Sequence, residues 1–228
     1  MVALQDIKPT FGSSGESLEH LMANGIQEWG EPVCKVLEYG QVLLRQARNC
    51  DTSPLVSVLI EGPSQSGKTA LAAKIALDSQ FPFIRVCPVI GFTEKGKCHT
   101  IKQGRKLMVI ATTSQRKVLG QLQMLDAFST VITASNLTSP DHMITALQQM
   151  DSFNSAHLAE IMKEIKCEER VNIGIKKLIA LVGLAKQYED SQVVKEFMAL
   201  LRKGSHIRMF LLTFCLSARL LMYIVIYL

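Results

Sequence analysis

The stretch from Leu55 to Thr69 constrains the fold more than any other part of this sequence. Leu55-Val56-Ser57-Val58-Leu59-Ile60-Glu61 is aliphatic and β-branched, the composition of a strand buried on both faces of a parallel sheet. Gly62-Pro63-Ser64-Gln65-Ser66-Gly67-Lys68-Thr69 then fits G-x-x-x-x-G-K-[ST], and Ala70 to Asp78 supplies strong helix formers. Strand, glycine-rich loop and helix in that order make a phosphate cradle, or P-loop. Its backbone N–H groups turn inward and the helix N-terminus adds partial positive charge. Lys68 then reaches the outer phosphates, and the Thr69 hydroxyl holds Mg2+. A glycine turn that binds nothing is the competing reading. The strand before it and the helix after it argue for the cradle.

The surrounding chain supplies the rest of an α/β domain. Phe81 to Val86, Leu107 to Ala111 and Thr130 to Thr133 read as further strands alternating with helices, which argues for a parallel sheet covered on both faces. Ligands of such sheets sit at the carboxyl ends of the strands, where the P-loop and Thr112-Thr113-Ser114 both fall. Val33, Val36, Leu37, Leu43 and Leu44 give the helix after Gly30 its apolar face. Trp29, the only tryptophan, reads on its own as a packing staple for that helix. From Ser139 the pattern is helical only. Ser139-Pro140-Asp141 is an N-cap, an N1 proline and a first-turn acid, and apolar stripes mark four short helices up to Leu201.

These readings divide the chain into a linker over 1–19, an α/β nucleotide-binding domain over 20–138, a helical domain over 139–203 and a divergent apolar segment over 204–228. The 25 basic and 20 acidic residues are mixed along the chain, without the aromatic-rich basic stripe of a nucleic-acid binder. Six widely spaced cysteines with no C-x-x-C pair, and no signal peptide at Met1 to Pro9, point to reduced thiols in the cytosol.

Glu61 to Ala76 with Phe81-Pro82-Phe83-Ile84 resembles the second AAA-type ATPase domain of the N-ethylmaleimide-sensitive fusion factor family, the vesicle-fusing ATPases. The likeness extends through Asn24 to Pro32, Ile90-Gly91-Phe92, Gly104-Arg105-Lys106-Leu107, Thr112-Thr113-Ser114, Ala127-Phe128-Ser129-Thr130 and Ile173 to Leu178. Met1 to Phe11 is similar to the end of the preceding domain. The resemblance implies a P-loop AAA-type parallel sheet with helices on both faces, followed by a small helical lid. It implies that Asn24, Gly25, Ile26, Gln27, Glu28 and Trp29 lie against adenine, which gives Trp29 a ligand role beside its packing role. Ser64, Gln65, Ser66, Gly67, Lys68, Thr69, Ala70 and Leu71 would wrap the phosphates of ATP, with Mg2+ on Thr69. Thr113 and Ser114 match sensor 1, and Lys176 matches sensor 2. Lys106 matches a lysine that faces the neighbouring subunit's nucleotide. Taken singly, Lys106 and Lys176 read as solvated surface lysines. The implied setting is a cytoplasmic homohexamer that disassembles SNARE complexes with a SNAP adaptor, whose binding domain this chain lacks.

One departure stands out. The family has a helix, a strand ending in two aspartates and another helix where this sequence steps from Lys102 directly to Gln103. Elsewhere no aliphatic run of four ends in Asp-Asp or Asp-Glu, so hydrolysis is expected to be slow or absent. The strand is central in the family, between the Phe81 and Leu107 strands. An empty slot there would orphan ladder groups at about 1 to 3 kcal/mol each.

Two functions follow: an ATP-hydrolysing piece of a vesicle-fusing ATPase, or a non-enzymatic module that binds nucleotide and joins or poisons hexamers. A GTPase or small-molecule kinase is disfavoured because no N-K-x-D motif occurs. Met209 to Leu228 carries one charge, Arg219, and is long enough to span a bilayer. The arginine leaves insertion only marginally favourable, and a segment without a role of its own is the preferred reading. An exposed Tyr223 to Leu228 would favour aggregation, so removing residues 204–228 is expected to raise soluble yield.

Overall fold

The computed structural model describes residues 15–49, 55–88, 106–167, 171–204 and 222–227. Ile90 to Phe92, the Lys102 to Gln103 junction and Met1 to Phe11 lie outside them. Helix α1 spans Gly15–Leu21 and α2 spans Glu31–Asn49. Strand β1 (Leu55–Glu61) leads into α3 (Lys68–Asp78), then β2 (Phe83–Pro88). Strand β3 (Leu107–Thr113) is followed by the short α4 (Arg116–Gln121) and β4 (Thr130–Thr133). Four helices come next: α5 (Pro140–Gln149), α6 (Ser155–Lys166), α7 (Ile175–Ala185) and α8 (Val193–Gly204). A last strand, β5, covers Met222–Tyr227.

The sheet order is β2-β5-β3-β1-β4. Strands β3, β1 and β4 are parallel, with Leu55 opposite Leu107 and Val58 opposite Thr130. Val56 to Ile60 of β1 are all buried, as a strand covered on both faces requires. Ser57 is tolerated among them because its hydroxyl donates to the Ala127 carbonyl (2.9 Å) and accepts from the Ser129 N–H (2.9 Å). The result is an α/β AAA-like fold with a helical lid. Helix α5 begins as the sequence predicts, with Ser139 accepting from the His142 N–H, and in α6 the structure adds a second cap, Asn154 accepting from the His157 N–H at 2.7 Å.

Three expectations need correcting. The stretch read as a linker holds α1, and its Leu18 is fully buried against the main core. The sheet is not purely parallel, because β5 runs antiparallel to both neighbours. The same strand fills the slot expected to stand empty between β2 and β3, so Tyr223 to Tyr227 are not an exposed edge. Their backbone is paired on both sides, and Ile224 is wholly buried. Removing them is therefore expected to open the sheet, not to improve yield. Among the described residues no helix is long and apolar enough to cross a membrane.

Candidate functional site

The chain leaves β1 at Glu61 and turns on Gly62, where a Cβ would meet the Ala134 carbonyl oxygen at 2.0 Å. The Gly62 N–H donates to the Thr113 carbonyl (3.2 Å) and the Ala134 N–H to the Glu61 carbonyl (2.7 Å). The P-loop therefore springs from a point clamped to both neighbouring strands. Gln65 has a positive φ of 69°, an uncommon conformation for a side-chain-bearing residue. Gly67 adopts the left-handed conformation at φ 89° immediately before α3, and no side chain caps that helix. Its first N–H groups are thus available to a ligand.

The lid docks directly on this loop. The Lys176 N–H donates to the Gln65 carbonyl at 3.1 Å, and a Cβ on Gly174 would strike that same oxygen at 2.8 Å. Only glycine lets α7 start this close. Like α3, α7 has a glycine at its N-cap and no side-chain cap. Two helix N-termini therefore converge on the loop, and the macrodipoles of both favour an anion there.

Lys68 and Lys176 add charge at the same place. Lys68 is buried, and its Nζ donates to the Pro63 carbonyl (2.5 Å) and the Ser66 hydroxyl (3.4 Å), both within the P-loop. Burial, and secondarily the nearby Lys176 cation, lower its pKa from 10.5 to about 8. An anion between the two lysines would relieve that repulsion.

A cleft of about 190 Å³ opens beside the loop. Asn24, Gly25, Ile26, Gln27 and Trp29 form one wall. Ser66, Gly67, Ala70 and Leu71 form the floor, and Ile175 and Lys176 the far side. Of the predicted adenine-side residues only Glu28 is not in the lining. It is exposed, and its carbonyl accepts from the Gln149 side chain at 3.0 Å. Ser64 and Gln65 stand exposed at the loop tip, and Thr69 is partly buried at the start of α3. Thr113 ends β3 beside Glu61, with its hydroxyl accepting from the Gln115 N–H at 3.0 Å, and Ser114 follows it on the surface. Lys106 is not brought to this cleft. It precedes β3 at the opposite edge of the sheet and donates to the Arg48 carbonyl.

Two features escape sequence reasoning. Glu61, at the carboxyl edge of β1, is gripped by the Arg116 guanidinium, with both carboxylate oxygens at 2.6 Å. The partners lie 55 residues apart and share no local motif. His142 of α5 packs on Trp29, ring centroids 5.0 Å apart, and fills the space a Cβ on Gly30 would take. The Trp29 wall of the cleft is thereby anchored to the lid.

A P-loop at the carboxyl edge of an α/β sheet, with a helical lid docked on it, defines the AAA-type class of nucleotide-binding domain. Residues 136–204 match the family described as the NSF, AAA+ ATPase lid domain. The chain is similar to the vesicular-fusion protein SEC18 of Saccharomyces cerevisiae, at 30% identity over 241 residues, covering 82% of this chain and 32% of that protein. It is 28% identical over 240 residues to the vesicle-fusing ATPase of Caenorhabditis elegans, covering 81% of this chain and 29% of the relative. For vesicular-fusion protein sec18 of Schizosaccharomyces pombe the figures are 27% over 244 residues, 82% and 31%. The resemblance to the NSF-type vesicle-fusing ATPases thus holds over most of this chain, which spans about a third of the length of the curated relatives it matches. The worm alignment runs over 240 residues yet takes in only 81% of a 228-residue chain, so the relative carries residues in this span that the chain lacks.

Proposed function

We propose that the cleft binds ATP, with adenine against Asn24 to Trp29 and the phosphates on Ser64 to Leu71. The observation that carries this reading is the bond from the Lys176 N–H to the Gln65 carbonyl, which seats the lid on the P-loop and brings two lysines and two helix starts without side-chain caps to one point. At about 190 Å³ the cleft is smaller than the ~300–1,000 Å³ usual for a whole ligand, and its lining takes in Ser66 and Gly67 but not Ser64, Gln65, Lys68 or Thr69. That suits a base and sugar in the cleft with the phosphates lying along the open face of the loop.

Mg2+ fits this site as a companion of the nucleotide. Among the described residues no group of three or more His, Cys, Asp or Glu could hold a metal. Mg2+ readily keeps several waters and leans on substrate phosphates, so the Thr69 hydroxyl suffices as the protein's own ligand.

A binding role without turnover is the second reading, and one observation favours it. The nearest carboxylate to the loop in the sequence, Glu61, already accepts from Arg116 Nη1 through both oxygens, and the strand beside β3 presents Met222 opposite Thr112. Neither can polarise a water, so we expect slow hydrolysis at best. Assembly into a hexamer, with Lys106 turned to a neighbouring subunit's nucleotide, and a part in SNARE disassembly with an adaptor are extensions of the likeness to vesicle-fusing ATPases. Thr113 and Ser114 would act as sensor 1 and Lys176 as sensor 2. Calorimetry with Mg2+-ATP tests binding, and phosphate release per bound ATP separates the two readings. Equal affinity in the parent and in Lys68→Ala would sink the assignment.

A further inference from the structure

We infer that the space between β2 and β3 is a slot for an extended, uncharged, β-branched peptide, filled by this chain's own Met222–Tyr227, and that filling it builds the floor under the P-loop helix. Strands β2 and β3 do not pair with each other. They run in the same direction and are separated by one strand width on either side of β5. All six residues of β5 have a partner on each side, from Phe83 and Leu107 opposite Tyr227 to Pro88 and Thr112 opposite Met222. Without β5, two inner edges would face each other across about 9 to 10 Å, too far for any N–H to reach a carbonyl. This is strand addition as used in peptide recognition, performed within one chain.

The side-chain demand falls on position 224. Ile224 lies between Val86 and Ile110 in register, is fully buried and joins the main core. Helix α3, which carries Lys68 at its start, packs against both β3 and β5. A charge at 224 would therefore be placed in the core beneath the P-loop helix, at the cost of burying it. Met-Tyr-Ile-Val-Ile-Tyr meets the requirement: it is free of charge and rich in residues that suit a pleated strand. Its direction is fixed as well, since the observed register holds only for an antiparallel entry.

The register supplies its own test, because Cys87 stands opposite Tyr223. Opposed Cα atoms in antiparallel pairs are about 4.5 to 5.5 Å apart, inside the ~4.4 to 6.8 Å range of disulfides. Mild oxidation of full-length Tyr223→Cys should give an intrachain bridge to Cys87, mapped by mass spectrometry without reduction. It should form at least tenfold more than in Met222→Cys, which stands opposite Pro88 and is one register position off Cys87. Equal bridging in the two variants, bridging between molecules, or no bridge at all would overturn the inference. In parallel, Ile224→Asp in the full chain should speed hydrogen exchange in β2 and β3 at least tenfold, and unchanged exchange would also overturn it. Neither readout uses nucleotide, so a failure of ATP binding would leave both standing.

Discussion

On one side of β3, strands β1 and β4 run parallel to it, and their carboxyl ends deliver the P-loop, Thr113 and the Ala134 clamp to one edge. On the other side, β5 runs against both its neighbours and is drawn from a segment more than a hundred residues beyond them. The first half is specified by short-range signals and carries the P-loop and Thr113. The second half contributes buried apolar area and a closed ladder. The difference teaches that an inserted strand must satisfy hydrogen bonding and packing, whereas direction matters only where the strand end bears chemistry. At that end β5 offers Met222.

The sharpest way to break the comparison is Ile224→Ala. If the second half is scaffold, the truncation should destabilise by about 2 to 5 kcal/mol through the cavity it leaves. Urea denaturation measures this, and a loss below about 1 kcal/mol would remove β5 from the core. Lys68→Ala should do the opposite, lowering ATP affinity ten- to a hundredfold, about 1.5 to 3 kcal/mol for a charge-assisted contact, while the urea midpoint stays or rises.

The titration of Lys68 sharpens the same division. Its folded pKa of about 8 lies below its ordinary 10.5, so between those values the unfolded chain holds more protons and stability rises with pH. Affinity should move the other way, falling as pH rises through 8, with proton uptake on binding that calorimetry in buffers of different ionisation enthalpy detects. Lys176→Gln should weaken ATP binding by about tenfold and move the affinity loss to higher pH, because it removes a neighbouring cation. A pH profile identical to the parent's would show that the two lysines do not share a ligand. Smallest is Ser139→Ala, which removes the α5 cap. About 1 kcal/mol of stability should go with ATP affinity unchanged.

Much of the first half was legible because its signals are local. Alternating strands and helices, the Gly62 to Thr69 spacing and the Ser139-Pro140-Asp141 cap each fall within a few residues. The stripes of the lid helices repeat at 3.6. The missed features are contacts across long separations. Nothing near Glu61 announces Arg116, and nothing near Trp29 announces His142. Pro9, Gly12 and Gly15 suggested a linker, yet Leu18 finds the core because the α1 face happens to meet α3. The Met209 to Leu228 segment suits a bilayer by composition, and its Tyr223 to Tyr227 run suits an aggregate or a central strand equally well. What decides among these is a vacancy elsewhere in the sheet, which no window along the chain can reveal.

The position of β5 also sets an order of events. Strands β1, β3 and β4 and the intervening helices can meet once residues 55–133 are available, but the pairing of Phe83 with Tyr227 must wait for a closure across more than 140 residues. The entropy of such a closure grows only as the logarithm of its length, so the delay is kinetic more than thermodynamic. During that interval β2 and β3 each show an open backbone edge, the template on which strands of other molecules pair. The folding rate of β5, set against the rate of such encounters, therefore decides how much of this chain reaches its native sheet.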